Sequence, residues 1–269
     1  MLYSSMHPRK YTHLGVCIHT EGISDIATYH SLKNLGKKTI KVFRPTLLLI
    51  TPKSPMYQIN PRTMRKLSRR KFPTAPTNAL YEDTRIEDFT NKIDRLSSYF
   101  DIGYHGHFLK EKNGSFVPSF DEKLIEKQFD LEYRFLSSSG FRPKIYGGGW
   151  WYFSQQIANL LAYYGFSIDT TLTDVGVNDF GHRQAFRDKM VVGECVKISP
   201  QILEIPSLLR WRTIIKLLQN QPSFGILVIH DYDLIRFPLL AEILIRLFGK
   251  TRCHSVPEIA DIAANQGLK

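Results

Sequence analysis

Cysteine is scarce in this chain: three residues, Cys17, Cys195 and Cys253, among 269. They lie far apart and form no CxxC pair, which argues against a disulfide scaffold and a cysteine zinc site. Reduced, intracellular thiols are the expected state. Long hydrophobic runs are missing too. The longest, such as "TLLLI" and "GILVI", fall far short of the roughly 20 apolar residues that span a bilayer. The N-terminal "MLYSSMHPRKYTH" carries no apolar stretch of a secretory signal, so a cytoplasmic protein is expected, with contact at a membrane surface left open. Neither GxGxxG nor GxxxxGK[ST] occurs, which weakens a nucleotide-binding reading. Acids are under-represented, 25 against 36 Lys and Arg, leaving a net charge of +11. That balance favours anionic partners: nucleic acid, phospholipid heads, acidic sugars or nucleotide-linked sugars.

What is present points to a packed domain. Hydrophobic residues make up 43% and charged residues 23%, so a core is expected rather than disorder. The length suits one α/β barrel over residues 1–269. The basic excess is partly local: "PRTMRKLSRRKFP", residues 61–73, holds six Arg or Lys and no acid. It falls in a loop insertion near residues 52–80. A solvated loop is the simpler reading than an anion- or membrane-binding segment. None of the common nucleic-acid motifs accompanies it, so no specific nucleic-acid partner is expected.

Short apolar runs alternate with amphipathic stretches. "HLGVCIHT", "PTLLLITP", "DIGYHGH", "RPKIYGGGWW", "FSIDTTL", "ILEIPSL" and "FGILVIHDYD" read as strands with their following loops. "ISDIATYHSLKNLGKK" reads as a helix ending at Gly36. "DEKLIEKQFDLEYRFLSSSG" reads as a strong helix stopped by Gly140, and a further helix closes at Gly165. This alternation implies a largely parallel sheet, either a barrel or a doubly wound sheet. Polar residues recur where the strands end: Glu21, His105, Asp169 and His230. In parallel α/β folds that end carries the active site.

Four stretches carry the chemistry. "VCIHTEGISD" sets His19, Thr20, Glu21 and Asp25 at one strand end. Glu21 suits a cation or a proton, whereas Ser24 or Asp25 equally suits a helix N-cap; strand alternation points His19 into the interior. "YHGHF" offers His105 and His107 with Gly106 between them, so both imidazoles could converge on one ion. "FRPKIYGGGWW" offers Gly148 for close backbone approach to a ligand and Trp150 and Trp151 for a sugar face, one in the core and the other in a pocket. Arg142 there suits an anionic group. "GILVIHDYD" ends a buried strand at His230, placed for acid–base work or held at the barrel rim.

In their order along the chain these segments resemble the polysaccharide deacetylases. "IHTEG", "HGHFL", "FRPKIYGGGWW", "YYGFSIDTTL" and "LVIH" stand where that family has its acidic, metal, arginine, aspartate and late-histidine motifs. The likeness runs over about residues 14–260. It implies a distorted seven-stranded (β/α) barrel and a divalent metal, zinc in most relatives. It also implies an acetylated sugar as substrate, nucleotide- or lipid-linked in the synthesis of a surface polysaccharide such as an O-antigen. Carried over, Glu21 and His105 hold the metal, Arg142 positions a carboxylate or the substrate, and His230 is the acid. Two positions depart from the pattern. Thr20 stands where the family has its base, and Leu109 stands where it has its second metal histidine. His107 is the substitute ligand, and Asp25 the substitute carboxylate among the catalytic groups. The competing expectation is an inactive barrel that binds carbohydrate.

Overall fold

The computed structural model describes residues 13–58, 75–76, 85–173, 178–189, 193–210, 223–237, 239–248 and 253–266. The basic run at 61–73 and most of the expected insertion lie outside them.

The centre of the fold is β1 (His13–Thr20), in which every residue is buried. A strand covered on both faces needs no polar alternation, which is why "HLGVCIHT" reads as a nearly continuous apolar run. It pairs in parallel with β2 (Thr46–Leu49) on one side and β12 (Phe224–His230) on the other. The sheet continues from β2 to β4 (Asp101–Gly106), β7 (Ile145–Gly148), β8 (Ile168–Asp169) and β10 (Leu203–Glu204). β11 (Ser207–Arg210) flanks β12 at one edge. β9 (Val196–Lys197) is the antiparallel partner of β10 at the other. Among the described residues the sheet therefore has nine strands, eight of them parallel, against seven strand segments legible in the sequence. The two beyond them are β9, whose two residues are too few for a periodicity to register, and the second strand of the pair β10 and β11 into which "ILEIPSL" divides.

Helices cover this sheet as expected for βα units. α1 (Ile26–Thr39) buries Tyr29, Leu32 and Leu35. It runs through Gly36 instead of stopping there: a side chain at that position would strike Tyr99 and Phe100, so the glycine serves close packing. α2 is Arg85–Ser97. α3 (Glu122–Ser138) starts where Asp121 accepts from the backbone N–H of Leu124, and it buries Ile125, Phe129, Phe135 and Leu136. α4 (Gln155–Tyr163), α5 (Asp231–Arg236), α6 (Leu240–Phe248) and α7 (Val256–Asn265) follow.

A second, three-stranded sheet joins β3 (Ala75–Pro76), β6 (Ser115–Pro118) and β5 (Leu109–Lys112). β5 and β6 form a hairpin around Asn113 and Gly114, whose φ values of 53° and 70° suit the Asn-Gly two-residue turn. None of the helices among the described residues is long and apolar enough to cross a membrane.

Candidate metal centre

Two parallel strands, β1 and β4, with β2 between them, end at the same side of the sheet and deliver the site. The register sets His19 opposite His230 and His105 opposite Gly147. Glu21 follows β1 directly, His105 is the fifth residue of β4, and His107 lies just beyond it. All three side chains are buried, at 6%, 0% and 2% exposure. Their ligand atoms converge. His107 Nε2 is 2.9 Å from His105 Nε2 and 3.1 Å from Glu21 Oε1. His105 Nε2 is 3.8 Å from the same oxygen.

Protons alone satisfy this cluster poorly. His105 Nδ1 lies 2.7 Å from the Gly147 carbonyl, which only accepts, so Nδ1 carries the hydrogen and Nε2 of the neutral ring is a lone pair. Glu21 Oε1 is a second acceptor. His107 Nε2 faces both, and its own Nδ1 is buried without a partner. Burial, with a smaller effect of His105, holds His107 neutral down to about pH 4. Burial opposes the charge on Glu21, yet the adjoining imidazoles of His105 and His107 keep its carboxyl well below the ordinary range. The result is an ionised carboxylate facing imidazole nitrogens in a dry site. A divalent ion satisfies such a set. The three separations also bracket the ~3.3 Å edge of a tetrahedron with bonds of about 2.0–2.1 Å. The donors fit a metal of the zinc type.

The glycine-rich loop shapes this centre. A side chain at Gly149 would collide with the His107 imidazole at Nδ1, and one at Gly148 with the Tyr152 carbonyl. Gly148 N–H donates to Thr171 Oγ1 at 2.7 Å, and Thr171 donates to Asp169 Oδ1 at 2.6 Å. Burial raises the pKa of Asp169 and of the adjacent Glu204, so this pair keeps a proton and anchors the strand that orients His105. Gly149→Ala is therefore expected to weaken zinc binding roughly 10- to 100-fold, with the fold retained by circular dichroism.

The two tryptophans separate as a core residue and a pocket residue. Trp151 is buried, with its ring 5.5 Å from His19. Trp150 is half-buried and stands edge-on to His107 at 4.3 Å. Both have positive φ, 53° and 61°, at a cost of order 1–3 kcal/mol each for a residue with a bulky side chain. Such strain is retained where its surroundings hold it: Asp179 N–H binds the Trp150 carbonyl at 3.0 Å and Gln184 binds the Trp151 carbonyl at 2.8 Å.

Other expected site residues go elsewhere. Asp25 is the N-cap of α1 and accepts from Thr28 N at 2.9 Å and Thr28 Oγ1 at 3.0 Å. Asp25→Ala is expected to cost about 1 kcal/mol of stability in urea unfolding and to leave zinc affinity unchanged. Arg142 is exposed and precedes β7, at the end of the sheet opposite His105. The arginine segment enters the strand instead of leaving it, so Arg142 does not reach the cluster. Leu109 opens β5, 2% exposed, with its N–H and carbonyl both held by the Gln128 amide at 3.0 and 2.7 Å. Thr20 is buried and its hydroxyl donates to Ile18 O at 3.2 Å.

His230 is half-buried, stacked on Tyr232 at 4.7 Å and edge-on to His19 at 5.1 Å. His19 bridges the groups: its ring lies 4.1 Å from His105, and its Nε2 is buried without a hydrogen-bond partner. Sequence reasoning gave no role to Asp231. It is 2% exposed and its Oδ2 accepts from Gly22 N–H at 2.6 Å, tying the Glu21 loop to α5. Burial, then the nearby Glu21 charge, raises its pKa to about 7. The signal was an acid immediately after a strand-terminal histidine.

No protein-family model and no curated protein matches the sequence. Solved structures do. A polysaccharide deacetylase of Mycobacterium smegmatis, described as putative, superposes with a TM-score of 0.60 at 13% identity, over 98% of this chain and 94% of its own. The 4-alpha-glucanotransferase of Thermococcus litoralis gives 0.51 at 9% identity, over 93% of this chain and 40% of its own. A looser match, 0.40 at 9% identity over 87% of this chain and 80% of its own, is a polysaccharide deacetylase of Bordetella bronchiseptica described as putative and involved in O-antigen biosynthesis. At these identities the likeness is one of fold. This chain has the (β/α)-barrel fold of the polysaccharide deacetylases.

Proposed function

We propose that this protein is a zinc-dependent deacetylase that removes an acetyl group from a sugar during synthesis of a surface polysaccharide of the O-antigen kind. The observation that supports it most is the convergence of Glu21, His105 and His107 in a buried cluster at the strand ends. Those three residues hold the ion. When bound, zinc supplies Lewis-acid polarisation of an acetyl carbonyl and makes water more acidic. Glu21 adds the negative charge, and the Gly147 carbonyl fixes the tautomer of His105. Trp150 presents a half-buried ring beside His107, suited to the apolar face of a sugar. His230 lies at the end of β12 and gives a proton to the leaving amine. The net charge of +11 suits a nucleotide- or lipid-linked sugar.

One observation favours a second reading, a carbohydrate-binding barrel without turnover. Thr20 offers no base, because its hydroxyl is buried and bonded to its own strand. Acetate release from N-acetylated sugar nucleotides and oligosaccharides separates the two. The deacetylase reading expects release that stops with a chelator, returns with zinc and is lost in His230→Ala. The binding reading expects saccharide binding that survives the chelator, with no acetate under any condition.

A further inference from the structure

We infer that the opposite end of the barrel holds a second binding site, for a small aliphatic anion. A cavity of about 600 Å³ opens where β4, β7, β8 and β10 begin, with α7 as one wall. That volume lies within the ~300–1,000 Å³ of ligand pockets. Its inner surface is aliphatic, with Ile102, Ile145, Ile202, Leu203 and Ala260. No aromatic residue is among the described residues that line it. A sugar or a nucleobase finds no ring to stack on there, whereas a branched or linear alkyl chain finds matching walls.

The mouth is cationic. Arg142, Lys144 and Lys197 stand around it. Arg142 and Lys197 are exposed. Lys144 spends one hydrogen on the Gly165 carbonyl at 2.8 Å. Of the two acids at the cavity, Asp101 is paired with Arg44 at 2.9 Å, which leaves Asp261 as the acid offsetting three cations. Arg142 supplies the planar fork that suits phosphate or carboxylate.

The three cations favour a phosphate monoester over a carboxylate, because phosphate brings three acceptor oxygens and the larger negative charge. The ligand is thus an alkyl or isoprenoid-like phosphate monoester. Its site is separate from the metal centre: Asp101 and His105 are the first and fifth residues of β4, about 13 Å apart along the strand. The inference stands whether or not the metal centre turns over.

Titration calorimetry with octyl phosphate, octanoate, inorganic phosphate and 1-octanol, each below its aggregation limit, tests this. Octyl phosphate is expected to bind, with inorganic phosphate and octanol each at least about tenfold weaker and octanoate in between. The double substitution Arg142→Gln and Lys197→Gln should weaken octyl phosphate about tenfold or more, as for loss of a charged hydrogen bond. Both side chains are exposed, and circular dichroism checks that the fold is intact. Absence of octyl phosphate binding, or binding unaltered by the double substitution, would overturn the site. Inorganic phosphate binding as tightly as octyl phosphate would remove the aliphatic part, and octanoate binding as tightly would remove the phosphate preference.

Discussion

His107→Ala is expected to raise the Kd for zinc by more than about 100-fold. Loss of a group that merely orients a ligand costs 10- to 100-fold in metal affinity, and removal of the ligand itself costs more. The expectation rests on His107 Nε2, which stands 2.9 Å from His105 Nε2 and 3.1 Å from Glu21 Oε1 and closes the triangle. The same geometry makes Leu109 irrelevant to the ion. Its side chain belongs to the core and its backbone is clamped by Gln128. Leu109→His therefore should not restore zinc binding to His107→Ala. It should destabilise the protein by burying an imidazole among apolar groups. Competition with a chromogenic zinc chelator reads the affinities, and rescue of His107→Ala by Leu109→His would show that the ion sits elsewhere.

Glu132→Gln is expected to flatten the pH dependence of stability. Glu132 is fully buried on α3, with Thr51 Oγ1 donating to its Oε2 at 2.9 Å. Burial raises its pKa from 4.5 to about 8. The folded protein therefore keeps the proton that the unfolded chain releases near 4.5. This contribution is fully present below pH 4.5 and is lost as the pH rises through 8. At about 1.4 kcal/mol per pH unit, the loss is on the order of several kcal/mol between those limits. Glutamine is neutral throughout and its carbonyl accepts from Thr51 in the same way. Asp231, Asp169 and Glu204 are also raised and Glu21 is lowered, so the difference between wild type and variant isolates Glu132. The gap between the urea midpoints at pH 5 and pH 9 should be smaller for the variant than for the wild type. Parallel pH profiles would show that Glu132 ionises freely in the folded state.

The parallel sheet was legible because β1, β2 and β12 are buried on both faces and so read as apolar runs ended by polar residues. α3 and α4 were legible through periodicity and the stops at Gly140 and Gly165, whose φ values are 85° and 74°. The hairpin of β5 and β6 is not legible in the sequence. Its turn, Asn113-Gly114, lay in the charged stretch "LKEKNGSF", where an exposed strand shows no apolar face. At the site, His105, His107 and Glu21 were visible as polar residues at strand ends. What sequence order could not fix was which end of a strand a segment occupies. "FRPKIY" places Arg142 before β7, far from the loop that follows the strand. Asp25 had two local uses, and the free N–H groups at the start of α1 took it as a cap. The role of Asp231 is not legible in sequence, because its bond to Gly22 spans more than two hundred residues.

The most direct test is X-ray absorption at the zinc edge on protein purified without a histidine tag, after loading with one equivalent of zinc. The account predicts a light-atom shell at about 2.0–2.1 Å with the multiple-scattering signature of two imidazoles, reduced to one in His107→Ala. A spectrum with sulfur ligands, or one unchanged by His107→Ala, would contradict it.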